Sequence, residues 1–180
     1  MARKIVIGTI RPPQFCESEA KISKNDLRWF YGSRHNRFWR VMEEFSGERF
    51  ETEGNLKRFS QKQSIGFIDI IKKCDRAKPS ASDGDLRNIE LIDIFSVIND
   101  NINDEIRIFF TSRQAAKWFN KSVADSGAKE LIIMADNRLK PETRSFGGKT
   151  ISALTLWSPS NRAARARPEN WREQYGLLLD

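Results

Sequence analysis

"KIVIGTIRPP", residues 4–13, is the stretch on which the fold turns. Ile5, Val6 and Ile7 run together without polar alternation, the pattern of a β-branched strand buried on both faces. The run ends at Gly8-Thr9. Pro12 and Pro13 can neither extend a hydrogen-bonded ladder nor begin a helix cleanly, so a loop is expected from there to about residue 26. A strand of this kind needs cover on each side.

The flanking segments supply it. Phe38, Trp39, Val41, Met42 and Phe45 recur at helical spacing behind Asn36, a good N-cap, until Ser46-Gly47 stops the helix. Residues 47–64 are a polar excursion with a short helix around 55–62. "SIGFIDIIKKCDR" (64–76) begins at a glycine turn and continues as a helical or extended segment, and residues 79–84 read as loop. "IELIDIF" (89–95) fits a strand or the start of a helix equally. "IRIFF" (106–110) is a strand, followed by a Thr111-Ser112 cap and a helix through Ala115, Ala116, Trp118 and Phe119. "ELIIMA" (130–135) is strand-like, and residues 136–149, with Pro141 and Gly147-Gly148, read as loop. "TISALTLW" (150–157) is the last clear strand, and "PENWREQY" (168–175) a closing helix. There is no internal repeat. The alternation predicts one α/β domain over 1–180, a three-layer α/β/α arrangement around a central, mostly parallel four-stranded sheet. Ligand crevices in such sheets lie beyond the carboxyl ends of the strands. That rule selects the loops 8–12 and 158–161.

Composition narrows the class. With 39% hydrophobic residues, 12 Phe and 5 Trp, the chain has ample material for a core, which excludes global disorder. The formal charge of +7 suits a polyanionic partner, and residues 158–172 concentrate it, with Arg162, Arg165, Arg167 and Arg172 against Glu169. A merely solvated basic face is the alternative. Cys16 and Cys74 have no CxxC spacing, which points to a reduced, cytoplasmic protein. The opening apolar run is too short for a secretory leader or a membrane span, so no membrane partner is expected. One histidine and two scattered cysteines argue against a zinc site, and no GxSxG accompanies His35.

Four segments, in order, resemble the uracil-DNA glycosylase superfamily, and within it the branch of hypoxanthine-DNA glycosylases and mismatch-specific enzymes. "VIGTIRP" resembles the first motif, a strand ending in Gly before a Pro-containing loop. "YGSRHNRFWRVM" (31–42) resembles the tyrosine, turn, Asn and Phe-Trp helix. "SIGFIDIIKKCDR" resembles the central Gly-to-Asp-to-Cys-x-Arg stretch, and "LWSPSNRAAR" (156–165) resembles the last motif, whose loop enters the DNA minor groove. Two departures stand out. The first loop has no carboxylate or amide before Gln14, and Leu156-Trp157 precedes Ser158-Pro159 where a histidine is frequent. Both fit the hypoxanthine-type branch, in which the catalytic Asn precedes Phe-Trp; by position it is Asn36.

The resemblance implies a monomeric, monofunctional repair enzyme of the cytoplasm, associated with the nucleoid at most. It would flip a deaminated base (hypoxanthine, uracil or xanthine) out of damaged DNA and hydrolyse its N-glycosidic bond with no cofactor. Asn36 would hold the water and the base edge, although a plain helix cap explains it too. Gly8, Thr9, Tyr31 and His35 would line the base pocket, with Asp93 reading the base edge or else capping a helix. Ser158, Ser160, Asn161, Arg162 and Arg165 would hold phosphates. Phe38 and Trp39 are expected in the core, and Asp69 as a structural residue ordering a loop. The alternative reading is a glycosylase-like protein that binds nucleic acid with weak or no catalysis.

Overall fold

The computed structural model describes residues 3–16, 22–78, 82–138 and 140–180, with only the backbone of 165 and 166. In chain order the elements are β1 (Lys4–Gly8), α1 (Phe38–Ser46), α2 (Glu53–Lys62), β2 (Ile65–Asp69), β3 (Ile71–Arg76), β4 (Leu86–Leu91), α3 (Ile94–Asn99), β5 (Glu105–Phe110), α4 (Arg113–Asp125), β6 (Glu142–Phe146), β7 (Lys149–Thr155) and α5 (Glu173–Gly176). The principal sheet has the order β2-β1-β5-β7-β6. Four strands run parallel and β6 pairs antiparallel with β7 at one edge. The molecule is therefore a mixed α/β protein with a mostly parallel sheet flanked by helices.

β1 forms as its sequence requires. Ile5 and Ile7 join a cluster with α3, α4 and the inward residues of β5 and β7, while Val6 joins one built on α1, α2 and α5. A strand with apolar neighbours on both sides reads as an unbroken apolar run. α1 stops at Gly47, whose φ of 69° lies in the left-handed region that glycine enters at little cost. Thr52 and Asn55 cap α2 reciprocally, and the Ser112 hydroxyl accepts from the Ala115 N–H at 3.1 Å to open α4.

Three expectations need correction, and two open ones are resolved. The sheet has five strands, not four, because "ETRSF" within the supposed 136–149 loop is the edge strand β6, turned into β7 by Gly147 and Gly148 at φ 56° and 78°. "ELIIMA" is not a strand. Its start is a 3-10 turn at Lys129–Leu131, and the Asn120 side chain bonds both the N–H and the C=O of Ile133 in place of a ladder. Of the two open readings, segment 64–76 takes the extended alternative, as two strands, and "IELIDIF" is both the end of a strand and the start of a helix. The closing helix is short, Glu173–Gly176. Residues 79–81 of the expected 79–84 loop lie outside the described residues, and 83–85 form a 3-10 turn.

Phe119 on α4 is fully buried and packs edge-on against Phe110 of β5, ring centroids 5.1 Å apart. Phe119→Ala leaves a cavity beneath the sheet and is expected to lower unfolding free energy by about 3–5 kcal/mol, read from the shift in urea midpoint.

Candidate functional site

The parallel strands end together, and one cleft of about 930 Å³ lies beyond those ends. Gly8 of β1, Asp69 of β2, Thr111 after β5 and Ser158 after β7 all line it, as the crevice rule for such sheets requires. β3 and β4 form a separate antiparallel hairpin. It is tied to the end of β1 by the Ile70 and Ile71 N–H groups, which donate to the Gly8 and Thr9 carbonyls at 3.0 Å. The 3-10 turn of the hairpin brings Asp83 to the cleft, where the Thr9 hydroxyl donates to it at 3.0 Å.

The floor is built around Tyr31. Its backbone has φ 57°, which is costly for a residue with a side chain. The ring stacks on Phe38 at 4.8 Å, and the hydroxyl lies 3.4 Å from that of Thr111. That hydroxyl would be 2.6 Å from a Cβ on residue 8, so only glycine permits the arrangement. Burial, with the Asp69 charge nearby, raises the Tyr31 pKa and keeps the phenol protonated.

Beside it, Asp69 accepts from Arg11 Nε at 3.0 Å, and the Arg11 guanidinium lies 4.6 Å from the Phe30 ring centroid. The Asp69 side chain is 17% exposed against 49% for Arg11. Burial raises the carboxyl above its ordinary value, and Arg11 opposes the rise. Burial raises Asp83 likewise, against the Thr9 hydrogen bond and the charge of Arg76.

Two loops meet across the mouth. Asn36 and Ser160 form an antiparallel bridge, the Arg37 N–H donates to the Pro159 carbonyl at 2.9 Å, and the Asn161 N–H donates to the His35 carbonyl at 3.0 Å. Arg37 Nε also donates to Asn161 Oδ1 at 3.1 Å. Asn36 Oδ1 accepts from the Phe38 N–H at 2.9 Å, so this oxygen helps start α1 while the amide N–H₂ remains to meet a ligand. The Ser158 and Ser160 hydroxyl oxygens accept from the backbone N–H groups of Ser160 and Arg162, each at 3.4 Å. Their hydroxyl protons remain as donors, the polarity an anion needs.

Nine predicted residues thus meet in one cleft: Gly8, Thr9, Tyr31, His35, Asn36, Ser158, Ser160, Asn161 and Arg162. Asp93 does not. It is the exposed N-cap of α3, accepting from the Ser96 N–H at 3.2 Å and the Ser96 hydroxyl at 2.6 Å, so the helix-cap alternative is the correct one. The side chain of Arg165 lies outside the described residues. Phe38 and Trp39 are buried as expected. Asp69, expected only to order a loop, faces the cleft; Arg11 joins it from the selected loop 8–12, and Phe30 and Asp83 join it without having been singled out. One signal was available: Asp69 ends "IGFID" as Gly8 ends "KIVIG", and the two are register partners.

Among the described residues, no group of three or more His, Cys, Asp or Glu is placed to hold a metal ion. No described helix is long and apolar enough to cross a membrane. Compared with known proteins, the chain matches no family model and no curated sequence.

Gly8→Ala sets a methyl against the Tyr31 hydroxyl. It is expected to cost about 1–3 kcal/mol in chemical denaturation, with a change in near-ultraviolet circular dichroism as Tyr31 and Phe38 shift.

Proposed function

We propose that this chain is a monofunctional DNA glycosylase that flips a deaminated base, hypoxanthine, uracil or xanthine, into the cleft and hydrolyses its N-glycosidic bond. The fold that accompanies this reading is a three-layer α/β/α domain acting as a monomer on damaged DNA. The observation that carries it is the bridge between residues 35–37 and 159–161. It joins the segment expected to act on the base to the segment expected to hold phosphates, two regions more than 120 residues apart in the chain. A coincidence of two ordinary turns gives no reason for that meeting.

The chemistry available suits the reaction. Breaking the bond develops oxocarbenium character on the sugar, and a deaminated base leaves with the electron pair as a tolerable anion. Donors dominate the cleft mouth: the Asn36 amide, the Ser158 and Ser160 hydroxyls and the N-terminus of α4 at Ser112. Tyr31 and Phe30 offer aromatic surface to a base. Arg34, Arg37 and Arg162 stand at or beside the mouth as phosphate partners. Asn36 cannot titrate near neutrality, so its part is to position water and base edge, and the same side chain starts α1.

The test is base release from labelled duplexes holding uracil, hypoxanthine or xanthine, followed by alkaline cleavage at the abasic site. Wild type is expected to give breaks and Asn36→Ala to lose them by about a hundredfold or more, whereas binding without breaks on any base supports the non-catalytic alternative. Arg162→Ala should weaken binding across all sequences and reduce the slope of log K against log salt by about 0.9. Affinity that does not depend on salt would overturn both readings.

A further inference from the structure

We infer that Asp69, at the carboxyl end of β2, is the catalytic carboxylate of this cleft, accepting the proton of the attacking water in place of the acid that the first loop lacks. The inference rests on the glycosylase reading and assigns the group that Asn36 cannot replace, since an amide holds water but takes no proton from it.

Placement is the first argument. Asp69 is the register partner of Gly8, so its carboxylate stands one strand over from the loop after β1 and at the same height above the sheet. Its Oδ1 would lie 3.3 Å from a Cβ on Gly8, which puts the carboxylate against the cleft floor beside the Tyr31 hydroxyl. The other acid lining the cleft, Asp83, is engaged by the Thr9 hydroxyl at the end of the hairpin.

The manner of holding is the second. Arg11 Nε donates to Oδ2 and the Arg11 backbone also favours the ionised form, while Oδ1 is the oxygen turned toward Gly8. The guanidinium is held in turn on the Phe30 ring, so the carboxylate is oriented from the Arg11 side within the cleft lining. In the step proposed, the water oxygen forms a bond to C1′ and the C1′–N bond breaks with its electron pair going to the base. The water proton passes to Asp69, and from there to the departing base or to solvent. No other reactant is needed.

The titratable and charged groups facing Asp69 are Arg11 from the loop after β1 and Tyr31 from the segment before α1. Farther along the cleft wall stand Asp83 with Arg76 on the hairpin side, and His35 at the mouth. Burial raises the carboxyl pKa and Arg11 lowers it. Protonated Asp69 accepts no proton, so activity falls on acidification through that pKa, above the ordinary carboxylate value of about 4. Removing Arg11 raises the pKa further and moves the acid limb to higher pH.

The experiment measures kcat/KM for base release against pH, on the duplexes above, for wild type, Asp69→Asn and Arg11→Gln, with thermal unfolding and duplex affinity recorded for each. Expected are a loss of about a hundredfold or more for Asp69→Asn with affinity kept, and for Arg11→Gln an acid limb displaced upward. Wild type that releases no base overturns the glycosylase reading and this assignment with it. Wild type that is active while Asp69→Asn stays within about threefold, on the same pH profile, overturns the assignment alone. An Arg11→Gln limb that does not move also overturns it, since Asp69 would then serve only to hold Arg11. That last arm decides the matter even where Asp69→Asn folds poorly.

Discussion

The Tyr31 hydroxyl occupies the space that a side chain at residue 8 would need, and the rest of the cleft depends on that contact. A left-handed backbone at a tyrosine costs of order 1–3 kcal/mol and persists only where its surroundings over-determine it. Here the ring is held on Phe38, the hydroxyl lies beside that of Thr111, and the turn behind it closes through Gly32. The Gly32 N–H donates to the Trp29 carbonyl, and a Cβ on Gly32 would meet the Leu27 carbonyl oxygen at 2.1 Å. The segment before α1 is thereby pinned to the ends of β1 and β5. Only because it is pinned there can residues 35–37 reach residues 159–161.

The same contact sets the electrostatics. Burial at this strand end raises the pKa of both the phenol and the carboxylate, the Asp69 charge adds to the rise at Tyr31, and the phenol stays protonated. A half-buried carboxylate without a partner would be expensive, and Arg11 answers that cost from the cleft wall. Arg11 is itself half exposed and rests on Phe30, so its partnership is local to the cleft and not part of the core. The charge pairing of the cleft is therefore arranged around the strand ends, while the apolar clusters around β1 form the core.

Much of this was legible in the sequence because it follows from strong local constraints. An unbroken apolar run such as β1 has few alternatives, and the amphipathic α1 and α4 show in their spacing. Ser112 marks the start of α4, whereas the N-cap of α1 is Arg37 and not the expected Asn36. The crevice rule then names the two loops without further information. The failures have equally local causes. β6 is a polar edge strand exposed along one side, and its only signal is the Gly147-Gly148 hairpin turn. "ELIIMA" looks like a strand, but β6 takes the place beside β7. Asparagine side chains stand in for the missing ladder: Asn120 bonds Ile133 of the displaced segment, and Asn137 bonds the Ala153 carbonyl and the Thr155 N–H of β7. Hydropathy carries no record of side chains that substitute for a ladder. Asp93 was misplaced for a related reason, since whether an acid caps a helix or faces a cleft depends on where a short strand ends, here Leu91.

Asp69 illustrates a more general limit of reading motifs loop by loop. In a parallel sheet, neighbouring strands are about 4.8 Å apart and deliver their last residues to the same level. A functional group needed at one strand end can be supplied from the next with little change in its position in space, although it moves some sixty residues along the chain, as from Gly8 to Asp69. The requirement is that the recipient strand end in a residue small enough to let the donor's side chain through. Gly8 meets that requirement for Tyr31 and Asp69 together. An acid missing from the first loop is thus weak evidence against an acid in the cleft. The glycine that ends β1 leaves the opening through which the neighbouring strand's carboxylate reaches the floor.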